Sequence, residues 1–125
     1  MIRVVMIAAV ALMLSAGSAA AVMLRPGPPA PAGTVTGSRL LHDCHEYEKR
    51  EAGQSYDRLP LGTCMGYITG VIWASPDDGC PPAGTNFGEM TLVVISYLKR
   101  NSAQLHRAAG YLVEEALREA WPCPK

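Results

Sequence analysis

Four cysteines and three histidines carry the reactive chemistry open to this 125-residue chain. They are Cys44, Cys64, Cys80 and Cys123, and His42, His45 and His106. Such side chains form disulfides, hold metal ions, or pair as a thiolate nucleophile with its base. The compartment decides between these roles, because structural disulfides persist only in oxidising surroundings.

The N-terminus has the pattern of an export signal. Arg3 precedes an unbroken apolar run, and small residues continue to Ala21. Ala19 and Ala21 satisfy the small-x-small rule, so we expect cleavage near Ala21 and removal of residues 1–21. An uncleaved membrane anchor is the alternative, since the uncharged stretch is just long enough to span a bilayer.

Four cysteines in an exported chain favour two disulfides and leave no free thiol. A Cys–His nucleophile pair needs a free thiolate. A metal cluster of His42, Cys44 and His45 needs converging side chains, whereas Cys44 points elsewhere on a helix. The sequence contains no phosphate loop, serine elbow or HExxH motif. We therefore predict no catalytic activity, no metal and no cofactor.

The charge of the chain restricts its class of partner, and its composition indicates the domain boundaries. Loss of Arg3 with the signal leaves a nearly neutral chain without a basic patch, so we expect no nucleic-acid partner. After signal cleavage we also expect no membrane association. Residues 22–37 are rich in proline and glycine and predict a flexible tail. Residues 38–125 form one small domain of a size that often needs covalent staples.

Hydrophobic spacing predicts two helices in the first half of this domain. Helix one covers 38–51, with Ser38 as its N-cap. Helix two covers about 60–74, with Pro60 at its first position and no charged residue, which predicts burial on most sides. Glycine recurs at every fourth position of helix two, at Gly62, Gly66 and Gly70. This spacing predicts that another helix backbone packs closely against it.

Two further helices are predicted in the second half. Asn86 and Glu89 form a capping box that begins helix three, although its β-branched residues make a strand the alternative. Helix four is expected over about 103–120, with an apolar stripe on one side. Its residues predicted to face solvent are Glu114, Glu115, Arg118 and Glu119. Within that set, the first and third are spaced for an i,i+4 ion pair.

The expected hairpins restrict the disulfide pairing. Helices one and two form an antiparallel hairpin in which Cys44 and Cys64 lie nearly level. Helices three and four form a second hairpin, with Cys80 before its start and Cys123 after its end. We therefore predict an all-α, four-helix domain stapled by Cys44–Cys64 and Cys80–Cys123.

The loop between the hairpins carries Asp77 and Asp78 just before Cys80. A calcium site would need further acidic ligands at a fixed spacing, and none follow. Loops on a rigid scaffold commonly carry recognition. We therefore select Asp77 and Asp78 as candidate partner-binding residues.

Several segments, read together, resemble a known family. They are Leu40-Leu-x-x-Cys44, Cys64-Met-Gly-Tyr-Ile-x-Gly70, Cys80-Pro-Pro-x-Gly84 and Ala116-Leu-Arg-Glu-Ala-Trp-Pro-Cys123. In this order they resemble the Rap/Tai family of immunity proteins tied to type VI secretion, over about residues 38–124.

This resemblance implies a helical, disulfide-bonded, commonly dimeric protein of the Gram-negative periplasm. Its implied function is to bind and occlude a peptidoglycan-cleaving amidase effector, without catalysis of its own. The alternative is a periplasmic chaperone or envelope-stress domain of HdeA type, which needs an apolar surface released by acid. Helix three, apolar nearly all round, is a candidate for that surface; it could equally be a homodimer interface, which we prefer, or simply part of the core.

Overall fold

The computed structural model describes residues 30–125, which form four α-helices in two hairpins. The predicted signal and residues 22–29 of the predicted tail lie outside the described residues. The helices are α1 Gly37–Glu51, α2 Arg58–Ala74, α3 Phe87–Arg100 and α4 Ala109–Ala120, with a 3-10 turn at Ser102–Gln104. Within residues 30–125 there is no strand, only an isolated antiparallel bridge between Thr36 and Ala108. The predicted all-α class is confirmed.

Both predicted disulfides are confirmed. Cys44 of α1 is bonded to Cys64 of α2, with Cα atoms 5.0 Å apart, and both residues are fully buried. Cys80 precedes α3 and is bonded to Cys123 beyond the end of α4, with Cα atoms 4.9 Å apart. The first bridge therefore links the two helices of the first hairpin. The second bridge links the start of the second hairpin to its end, as predicted.

The start of α1 differs from the prediction because a preceding segment is held in place. Thr36, rather than Ser38, is the N-cap, and its side chain accepts a hydrogen bond from the Arg39 backbone. The Gly37 N–H donates to the Arg107 carbonyl at 3.0 Å. Gly37 is buried against Leu112, and a Cβ atom there would collide with that leucine side chain. Glycine therefore lets α1 approach α4 here without displacing the Leu112 side chain.

The starts of α2 and α3 depend on their capping residues. Asp57 caps α2 by accepting a hydrogen bond from the Leu59 N–H at 2.9 Å, so Pro60 is the third helical residue and not the first. The predicted capping box of α3 is confirmed. Asn86 accepts from the Glu89 N–H at 3.0 Å, and Glu89 accepts from the Asn86 N–H at 2.9 Å.

Helix α4 begins at Ala109, later than the predicted start at about residue 103. The chain turns out of helical geometry before Ala109, because Ala109 donates its N–H to the Val35 carbonyl at 2.8 Å. The Arg107 side chain then reaches forward to Glu115, with nitrogen–oxygen distances of 2.6 and 2.9 Å. A helix running from residue 103 would give up these long-range contacts.

Glu114 and Arg118 do not form the predicted ion pair. Glu115, which was predicted to face solvent, is half-buried. Glu114 accepts a hydrogen bond from the Ser75 hydroxyl at 2.8 Å. Glu115 accepts from Arg107 and from the Tyr97 hydroxyl, the latter at 2.9 Å. The Arg107 hydrogen bond lowers the pKa of Glu115, while burial and the neighbouring Glu115 raise the pKa of Tyr97 to about 12.

The core lies between the two hairpins, with α1 packed most extensively on α2 and α3 on α4. Helix α3 contributes much of it, so its apolar face is largely internal. Its buried residues are Thr91, Val94, Ile95, Tyr97 and Leu98. Within residues 30–125, none of the helices has the length and hydropathy needed to cross a bilayer.

Replacement of Glu115 by glutamine (E115Q) should lower the free energy of unfolding by about 1–2 kcal/mol at pH 7, because the charge-assisted bonds from Arg107 are lost. The depressed pKa of Glu115 stabilises the fold above the unfolded-state pKa of about 4.3, and this contribution disappears as pH falls through the folded-state pKa. Urea unfolding at pH 7 and pH 3 measures both effects.

The matched control is E119Q. Glu119 pairs with Arg100, but both side chains are 58% exposed, so the loss should stay below about 0.5 kcal/mol. Equal losses in the two variants at pH 7, or an undiminished E115Q effect at pH 3, would contradict the role given to Glu115.

Candidate functional site

The loop between the two hairpins, residues 75–86, holds both candidate aspartates in different roles. Asp77 is exposed, and within residues 30–125 its carboxylate has no hydrogen bond or ion pair. Asp78 is half-buried and accepts a hydrogen bond from Arg118 of α4 at 2.5 Å. Asp77 is therefore available to a partner, whereas Asp78 fastens the loop.

Backbone contacts fix this loop to the end of α4. The Cys80 N–H donates to the Trp121 carbonyl at 2.8 Å, beside the Cys80–Cys123 bridge. Gly79 has φ +114°, and its Cα lies so close to α4 that a Cβ would come within 3.0 Å of the Leu117 carbonyl oxygen. The loop thus presents its side chains from a fixed backbone.

A second exposed feature lies on α2, where the prediction of close helix packing is wrong. Glycines at positions 62, 66 and 70 all face open space, with nothing within 4 Å of a Cβ added at any of them. Leu59 is 78% exposed and Trp73 is 75% exposed at the two ends of the same face. We call this surface, residues 59, 62, 63, 66, 70 and 73, the glycine face. It carries no charge.

The histidines of α1 lie on the surface and are not gathered into a metal site. His42 and His45 are exposed, and each lies next to a carboxylate. They line an open groove beside α1 with Glu48 and Lys99, which form an ion pair. Across residues 30–125 no three or more histidine, cysteine or acidic side chains are grouped to bind a metal ion.

The arrangement suits recognition better than reaction. All four cysteines are in disulfides, so no thiolate is available as a nucleophile. The two surface features are a fixed loop with a free carboxylate and an uncharged helix face with bulky ends. Both offer shape and chemistry for a protein partner.

Comparison with models of known protein families shows which family the chain is related to. A family model described as Rap1a immunity proteins matches residues 36–123, which include all four helices and both disulfides. The chain belongs to the Rap1a immunity protein family. A search of curated proteins finds no match.

Membership of the Rap1a immunity family agrees with the resemblance found in the sequence motifs. Those motifs consist mainly of cysteines, glycines and core residues, so they describe the scaffold of the family. The exposure of Leu59, Trp73 and, on α4, Tyr111 at 63% was missed. The glycine spacing indicated a smooth side of α2, but the same spacing occurs whether that side is covered or open, so the sequence carried no signal for its exposure.

The close contact at Gly79 gives a stability prediction. G79A should destabilise the fold by roughly 3 kcal/mol, because a positive φ costs a non-glycine residue about 1–2 kcal/mol and the added methyl group also meets the α4 backbone. G84A is the control. Gly84 has φ +92° but nothing within 4 Å of an added Cβ, so only the backbone cost applies. Equal losses in thermal or urea unfolding would show that the loop is not held against α4 at Gly79.

Proposed function

We propose that this protein is a periplasmic immunity protein that binds and occludes a peptidoglycan-cleaving amidase effector of a type VI secretion system. The family match over residues 36–123 carries the proposal, since it covers the whole folded domain. Two disulfides and an N-terminus with the pattern of a signal fit an exported chain. The bonding of all four cysteines fits a binding role without catalysis.

The loop at residues 75–86 is the surface best suited to enter an effector's cleft. Its backbone is held by the Cys80–Cys123 bridge and by the Asp78–Arg118 ion pair, so little conformational entropy is lost on binding. Asp77 extends from this frame with a free carboxylate. In this proposal Asp77 contacts the effector, and Asp78 positions the loop.

Substitution of Asp77 by alanine (D77A) should weaken effector binding about tenfold or more without changing the unfolding midpoint, because the side chain has no internal partner. D78A should weaken binding too, and should also lower stability, because Arg118 loses its partner. Affinity is measured by calorimetry with amidase effectors of the same organism, and inhibition by the release of peptidoglycan fragments.

Glu51 supplies the control, because it is an exposed carboxylate at the end of α1, before α2 begins, whereas the loop follows the other end of α2; its ion pair is with the adjacent Arg50. E51A should bind as the unaltered protein does. Unchanged affinity in D77A would remove the loop from the proposal. Failure of the unaltered protein to slow any of these amidases would overturn the immunity role.

We further propose that two copies pair through the glycine face of α2 rather than through α3. Leu59 and Trp73 each lie seven residues from Gly66, with the other two glycines placed symmetrically between them. In an antiparallel pair with its two-fold axis at Gly66, Leu59 of each copy meets Trp73 of the other. Glycine allows the two helix axes to approach closely. With no charge on the face, like residues do not repel.

The pairing is tested with Gly66→Arg (G66R). Nothing lies within 4 Å of a Cβ at Gly66, and arginine favours helix over glycine, so the monomer should be more stable by up to about 1 kcal/mol. In the pair the two arginines would repel. Light scattering coupled to size exclusion should give twice the monomer mass for the unaltered protein and for the α1 control H45R, and the monomer mass for G66R. A G66R dimer would exclude this interface.

A further inference from the structure

The two disulfides differ sharply in their access to solvent. Cys44 and Cys64 are both 0% exposed and belong to the hydrophobic core between α1 and α2. Cys80 and Cys123 are both exposed and lie outside the helices and the core. Thiol–disulfide exchange requires an attacking thiolate to reach a sulfur atom, so access controls which bridge reacts first.

We propose that Cys80–Cys123 is a redox-responsive bridge that sets the rigidity of the 75–86 loop, while Cys44–Cys64 is a permanent part of the core. The reductant is a dithiol, either a small molecule or the active site of a thiol oxidoreductase. Its thiolate attacks one sulfur of the bridge and the other sulfur leaves as a thiolate. The second thiol of the reductant, as its thiolate, then attacks the reductant sulfur of this mixed disulfide and releases the other cysteine of the bridge as a thiolate. Two electrons and two protons pass to the bridge, giving two thiols and an oxidised dithiol.

The remaining contacts show why the fold should survive this reduction. The helices pack through residues that include neither Cys80 nor Cys123. The Asp78–Arg118 ion pair still holds the first part of the loop to α4. The covalent restraint is lost only by the part of the loop that follows this ion pair and by the C-terminal residues 122–125.

Timed reduction of the native protein tests the proposal. The protein is exposed to dithiothreitol without denaturant, its thiols are alkylated at intervals, and the modified peptides are quantified by mass spectrometry. We expect Cys80 and Cys123 to become labelled about tenfold or more faster than Cys44 and Cys64, with unchanged helical circular dichroism while only the first pair is open. Simultaneous labelling of all four, or loss of helix with the first pair, would overturn the proposal.

A pair of double variants provides the control for reagent effects. C80S/C123S should keep the helical signal and a cooperative thermal transition, and C44S/C64S should lose far more thermal stability because its bridge lies in the core. If C80S/C123S unfolds as readily as C44S/C64S, the exposed bridge is structural and the proposal fails.

The consequence for effector binding rests on the proposed function. A looser loop should bind an effector more weakly, so C80S/C123S should lose affinity while retaining its fold. The labelling experiment needs no effector, so a failure of the immunity role and a failure of the redox proposal give different results.

Discussion

The buried Cys44–Cys64 bond is the constraint on which the rest of the structure depends. It fixes the register of α1 against α2 from within the core, where neither sulfur meets solvent. A domain of this size buries a limited apolar area, and a covalent bond between its first two helices, across a sequence separation of 20, adds about 3 kcal/mol of stability by restricting the unfolded chain.

Because the core is secured by this bond and by the packing of α3 and α4, other parts of the chain can leave apolar or charged side chains exposed. Helix α2 is the clearest case, since a helix without charge beyond its first residue normally buries its apolar residues on most sides. Here only Leu61, Cys64 and Ile68 are buried, and the opposite face carries glycines between Leu59 and Trp73. The loop before α3 is likewise fastened to α4 but leaves Asp77 open.

A complete capping motif and the geometry of the hairpins could be predicted from the sequence, whereas helix starts and ion pairs that depend on distant residues could not. The capping box of Asn86 and Glu89 is complete within four residues, so it was recognised directly. The disulfide pairing followed from hairpin geometry. The true start of α4 depends on Val35, which lies more than seventy residues earlier and accepts the Ala109 N–H. No periodicity within the helix contains that information.

The candidate site, too, could be predicted from the sequence only in part. The sequence located the loop between the hairpins through its prolines, glycines and aspartates, but predicted the same role for Asp77 and Asp78. Their difference depends on Arg118, which lies forty residues away and pairs with Asp78 alone. The glycine face was misread because a helix of small and uncharged residues has the same sequence pattern whether it faces a neighbouring helix or solvent.

Hydrogen–deuterium exchange on a complex with an amidase effector tests the central claim most directly. Protection appearing in residues 75–86, with α2 exchanging as in the protein alone, is the result this account predicts. Protection confined to residues 58–74, with an unchanged loop, would contradict it.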